Sequence, residues 1–123
     1  MNIIRDILKI NRSILIVDDD KALSRLIQRL LERSGHDVSH CDNGFDAVTL
    51  SKERDFDMFL IDYNMPELTG DKVCKLIRNQ HPDGYIVGYS GEPKEQPFID
   101  AGANRFIDKC DLVQDFSLMY QLA

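Results

Sequence analysis

The chain has 123 residues, 43% hydrophobic and 29% charged, with a formal net charge of -6. That size suits one domain with a core large enough to need no staple, and charges scattered among apolar residues argue against disorder. The acidic balance argues against this chain itself neutralising nucleic-acid phosphates, and leaves DNA binding to a partner or another domain.

The first twelve residues read as a separate arm in which Ile3, Ile4, Ile7 and Leu8 have helical spacing. Such an arm either docks on the domain as a short helix or serves as a partner-binding or dimerising segment. Residues 13–17 are a β-rich run that ends on Asp18 and Asp19. Leu23, Leu26, Ile27, Leu30 and Leu31 then recur at helical spacing, with Arg25, Gln28, Arg29 and Glu32 opposite, and Gly35 as the stop. Residues 36–41 predict a weaker, more exposed strand near a sheet edge. Asn43-Gly44 signals a turn, and residues 45–54 a second helix with Ala47 and Val48 inward.

Residues 58–61 are apolar without alternation, as in a strand covered on both faces, and end on Asp62. Pro66 breaks the chain, Thr69 is a candidate cap, and Val73, Leu76 and Ile77 define a third helix. Residues 84–89 end on Ser90. Gly91, Pro93, Pro97 and Gly102 leave room for one or two helical turns around residues 98–101. Residues 105–108 end on Lys109, and Leu112, Val113, Phe116, Met119 and Tyr120 stripe a last helix. Five strand–helix repeats predict an α/β fold: a parallel sheet with right-handed crossovers and helices on both faces.

Cys41, Cys74 and Cys110 are odd in number and form no C-x-x-C pair, which predicts free thiols in a reducing, cytoplasmic compartment. His36, His40 and His81 show no zinc-ligand spacing with them. No apolar run approaches the roughly 18 residues of a membrane span. Charges interrupt the N-terminal apolar residues, so it is no signal peptide.

In an open parallel sheet the strand carboxyl ends share one edge, where ligands bind. Asp18, Asp19 and Asp62 converge there, and two like charges about 4 Å apart repel by roughly 4 kcal/mol at an effective dielectric of about 20. Lys109 offsets one charge. A divalent cation offsets two, and Mg²⁺ suits hard oxygen ligands that include carboxylates, waters and a phosphate. A carboxylate so placed is a nucleophile toward phosphoryl donors, with Lys109 and the metal stabilising charge on the transferred group and Ser90 a hydrogen-bond donor to it. Each residue alone is an ordinary loop residue; together, at four strand ends, they make a site.

The residues 14–20, 43–47, 56–70 (with Asp62-x-x-Met65-Pro66-x-x-x-Gly70) and 101–103 before Lys109 resemble a response-regulator receiver domain of two-component signalling, over residues 13–123. The resemblance implies a flavodoxin-like, doubly wound five-stranded sheet of order 2-1-3-4-5. It implies that Asp62 is the phosphoacceptor, charged by the phosphohistidine of a sensor histidine kinase or phosphotransfer protein. Asp19 is then the direct Mg²⁺ ligand, Asp18 its outer-sphere companion, and Asn64 the donor of a backbone carbonyl to the metal. Ser90 takes the family's hydroxyl role and Phe106 its aromatic switch position, while Asn64 and Glu92 stand where the family tunes acyl-phosphate lifetime. A phosphoryl group adds about -1.5 to -2 charge, which draws Ser90 and Lys109 inward, lets Phe106 follow, and shifts affinity for a downstream protein partner or output domain.

Three departures stand out. Cys110 follows Lys109 where receivers usually carry a proline with a cis bond. A cis non-proline bond costs roughly 2.5–4 kcal/mol, so a trans peptide and a slightly displaced Lys109 are expected; Cys110 beside an ammonium is also a candidate reactive thiol. The stretch 91–104 is short and carries two prolines, which weakens the family's common dimer and output face and turns attention to the N-terminal arm. Phe106 also lacks the hydroxyl of a tyrosine.

Three functional classes compete. One is a stand-alone phosphoacceptor that catalyses only its own phosphorylation and dephosphorylation. A second is a receiver cut from a longer regulator with a DNA-binding or enzymatic output domain, since the last helix is still periodic at Ala123. The third is a haloacid-dehalogenase-like phosphohydrolase, suggested by the Asp-x-Asp within Asp18-Asp19-Asp20. A flavodoxin is disfavoured because no Ser/Thr-Gly-rich phosphate loop follows the first strand.

Overall fold

A computed structural model describes residues 12–122, with side chains to residue 118. The N-terminal arm, apart from Arg12, and the Met119 and Tyr120 side chains of the last stripe lie outside the described residues. Ten elements alternate: β1 (Ser13–Val17), α1 (Lys21–Arg33), β2 (Asp37–Cys41), α2 (Gly44–Glu53), β3 (Met58–Asp62), α3 (Gly70–Gln80), β4 (Tyr85–Ser90), α4 (Glu95–Asp100), β5 (Arg105–Asp108) and α5 (Lys109–Leu122). All ladders are parallel, in the order β2-β1-β3-β4-β5. This is the flavodoxin-like order, and β2 is an edge strand as its polarity predicts.

Local chemistry sets the element ends. The Asp20 carboxylate caps α1 by accepting the Leu23 N–H at 3.1 Å. α1 stops in a Schellman turn: Gly35, at φ 93°, donates to Glu32 O, and His36 donates to Leu31 O. Asn43 caps α2 through the Asp46 N–H at 2.8 Å. Thr69 precedes α3, but its hydroxyl donates to Asp71 Oδ1 at 2.6 Å instead of accepting a helix N–H. The expected turns after β4 form α4, which starts earlier than residue 98 because Pro97 falls in its first turn, where no intrahelical donor is lost.

Strand alternation divides the core in two. Ile14, Ile16, Met58, Leu60, Val87, Tyr89 and Ile107 face α1 and α5, with Ile27, Leu31, Leu112 and Phe116. Leu15, Val17, Phe59, Ile61 and Ile86 face the other helices, with Val73, Ile77 and Phe98. Phe98 is fully buried, worth about 1.5–3 kcal/mol, and lies flat against Gly88, where any Cβ would strike its ring. A Cβ on Gly70 would collide with Asp62 O, so that glycine lets α3 start directly against the end of β3. No helix among the described residues is long and apolar enough to cross a membrane.

Candidate functional site

Register brings the polar residues together. Val17 pairs with Ile61, Asp62 with Tyr89, and Ser90 with Asp108. The residues that follow, Asp18 and Lys109, therefore emerge beside Asp62 and Ser90 at the carboxyl edge. Carboxylate oxygens of Asp18, Asp19 and Asp62 lie within 4.8 Å of one another. Asp18 and Asp62 are buried and Asp19 is exposed. Asp20 is occupied as the α1 cap. Lys109 Nζ lies 4.0 Å from Asp62 Oδ2.

The two buried carboxylates are treated differently. Asp18 Oδ1 accepts the Asp20 N–H at 2.9 Å and Oδ2 accepts the Tyr89 hydroxyl at 2.5 Å. The Asp18 carbonyl accepts from His40 Nε2 at 2.9 Å. Asp62 Oδ1 is buried with no hydrogen-bond partner among the described residues. Burial, then the Asp18 carboxylate beside it, push the Asp62 carboxyl up to about 7, against the opposing pull of Lys109. Burial and the same Asp18 charge hold the Tyr89 phenol well above its usual range, so it remains a donor.

Ser90 and Asn64 stand at this edge, yet no hydrogen bond joins them to the carboxylates. Ser90 is fully buried and its hydroxyl accepts the Glu92 N–H at 3.0 Å. Asn64 and Glu92 are exposed. Phe106 is half-buried, its ring 5.9 Å from Phe98, which also meets Tyr63 edge-on at 6.1 Å. The Lys109–Cys110 peptide is trans, as the missing proline predicts. The Cys110 N–H donates to Asp108 Oδ1 at 2.9 Å, a bond proline lacks.

Tyr89 and His40 were not evident from the sequence. Tyr89 belongs to an apolar run, and only its pairing opposite Asp62 shows that both share a face. His40 lies on the edge strand, one residue before Cys41, whose carbonyl accepts the Asp18 N–H. Neither spacing nor residue type marks it.

An acidic cluster with an unpartnered buried oxygen suits a hard divalent cation. The profile of the response regulator receiver domain matches residues 14–117. The chain is 39% identical over 70 residues to the alkaline phosphatase synthesis transcriptional regulatory protein PhoP of Bacillus subtilis, covering 57% of this chain and only 29% of PhoP. It is 33% identical over 109 residues to the chemotaxis protein CheY-3 of Vibrio cholerae, covering 84% of each. A solved response regulator from Burkholderia pseudomallei, with a phosphorylated aspartic acid, calcium ion and citrate, shares the fold at a TM-score of 0.77 and 18% identity, covering 91% of this chain and 71% of that one. The family match sets aside the hydrolase reading of Asp18-Asp19-Asp20, whose third carboxylate is a helix cap. This chain belongs to the response regulator receiver domain family, the signalling domains of two-component systems.

Proposed function

We propose that Asp62 is the phosphoacceptor of a cytoplasmic two-component relay, taking a phosphoryl group from the phosphohistidine of a sensor histidine kinase or phosphotransfer protein. The observation that carries this reading is the buried, unpartnered Asp62 Oδ1, set among Asp18 and Asp19 with Lys109 against the other oxygen. An Asp62 oxygen attacks phosphorus in line, the P–N bond breaks, and its electron pair stays with the imidazole. Lys109 neutralises charge on Asp62 and then on the phosphoryl oxygens. Asp19 and Asp62 would hold Mg²⁺ through their carboxylates, with Asp18 beside them and the Asn64 carbonyl adding to the protein's share. When bound, the cation supplies positive charge against the transferred group.

The Ser90 hydroxyl exchanges its bond with the Glu92 N–H for one to the phosphoryl oxygens. Its movement and that of Lys109 release Phe106 against Phe98, and the altered face changes affinity for a downstream partner or a second copy. A second reading, a receiver module inside a longer regulator, is favoured by the short share of PhoP that this chain spans.

Acetyl phosphate with Mg²⁺, followed by intact mass, tests the proposal. One phosphoryl adduct is expected, absent without the cation and absent in Asp62→Asn. An adduct that persists in Asp62→Asn, or steady turnover of acetyl phosphate without an adduct, overturns it.

A further inference from the structure

Tyr89 spans the width of β3. It pairs with Asp62 in the ladder, and alternation puts its ring with Leu60 and Val87 on the face covered by α1 and α5. From β4 the phenol reaches Asp18, which follows β1, and donates to Oδ2 at 2.5 Å. With the Asp20 N–H on Oδ1, both oxygens of a fully buried carboxylate have donors without any cation. Asp62, its neighbour, has an oxygen with none. Phenylalanine would fill the same core volume, so packing alone gives no reason for a hydroxyl there, and a buried hydroxyl is unfavourable unless bonded.

We propose that Tyr89 is a positioning residue that holds the Asp18 carboxylate in the metal-free site and, by standing in for part of the cation's charge, weakens magnesium binding. This rests on the reading of Asp18, Asp19 and Asp62 as a Mg²⁺ site. Without the hydroxyl, Asp18 Oδ2 loses its donor while the carboxylate stays beside Asp19 and Asp62. That raises the free energy of the metal-free protein more than that of the magnesium form, where the cation offsets the same charge. The difference appears as tighter binding.

The test compares wild type with Tyr89→Phe by thermal unfolding in chelator and by calorimetric titration with Mg²⁺. Losing a hydrogen bond to a charged group is expected to lower the metal-free Tm by about 4–10 °C. Saturating Mg²⁺ recovers most of that loss, and Kd for Mg²⁺ tightens by about five- to tenfold. In an Asp18→Asn background the same substitution leaves Kd within about twofold, because the charge it served is gone. Equal loss of Tm with and without Mg²⁺, or an unchanged or weaker Kd in Tyr89→Phe, overturns the assignment of Tyr89 alone. A wild type whose Tm and heat signal ignore Mg²⁺ overturns the magnesium reading itself, and this inference with it.

Discussion

The two edges of the sheet are built on opposite principles. At the amino edge the loops before β4 and β5 share one donor, although Arg12 Nε and His36 Nε2, before β1 and β2, are buried without a partner among the described residues. Arg78 of α3 donates to Gly102 O (2.9 Å), His81 O (3.1 Å), Pro82 O (3.0 Å), Gly84 O (2.7 Å) and Asn104 Oδ1 (2.7 Å). Asn104 Oδ1 also accepts the Ile86 N–H, and Asp57 accepts the Ser13 N–H. At the carboxyl edge like charges are crowded and one buried oxygen is left unpaired. One scaffold thus places a shared-donor network at one end and crowded like charges at the other, the pattern expected where function conflicts with stability.

The sharpest way to break this contrast is to remove the clasp. Arg78→Ala leaves carbonyls from two loops without their shared donor, and is expected to cost roughly 3–4 kcal/mol in urea unfolding. Phosphorylation by acetyl phosphate, per folded molecule, should stay at the wild-type level because no acceptor of Arg78 touches the acidic cluster. A loss below about 1 kcal/mol would show that the amino edge is not where stability resides.

The opposite sign is expected at the other edge. Asp62 has its carboxyl raised to about 7 by burial and by Asp18, well above an unfolded aspartate. The folded, metal-free protein therefore holds a proton that the unfolded chain has released, so stability falls as pH rises between the two values. From pH 5 to 7 the fall is expected to be roughly 2 kcal/mol. Asp62→Asn removes that slope and stabilises the metal-free protein at pH 8 by roughly 1–3 kcal/mol. Chemical denaturation across pH checks both; a wild-type slope that persists in Asp62→Asn would place the titrating group elsewhere.

What was legible in the sequence follows the same division. The strands, their order by resemblance, and Asp18, Asp19, Asp62 and Lys109 could be read because strong apolar runs point at them. The clasp could not: Arg78 sits in a helix with ordinary spacing, and four of its acceptors are backbone carbonyls, which leave no trace in residue type. Thr69 looked like a cap because its type and position fit, but its hydroxyl donates to Asp71, two residues on, and accepts no helix N–H. Tyr89 was hidden for a third reason. In a strand buried on both faces, apolar continuity masks the alternation that would show which residues meet Asp62.

The smallest expected effect concerns the end of β5. Cys110 stands in the first turn of α5, where proline is sterically acceptable because its missing N–H has no helical acceptor. Here that N–H has a partner outside the helix ladder, Asp108 Oδ1. Cys110→Pro removes this bond, a loss of about 0.5–1.5 kcal/mol. It also restricts the unfolded chain, a gain of about 0.4–1 kcal/mol. The net change in stability should fall within about 1 kcal/mol of zero. Lys109 is the adjoining residue, so the informative measurement is the rate of phosphorylation by acetyl phosphate. If the trans peptide held by Asp108 keeps Nζ at its 4.0 Å from Asp62, Cys110→Pro alters that rate while stability scarcely moves. A rate equal to wild type would mean that Lys109 is placed by β5 and α5 regardless of the residue that follows it.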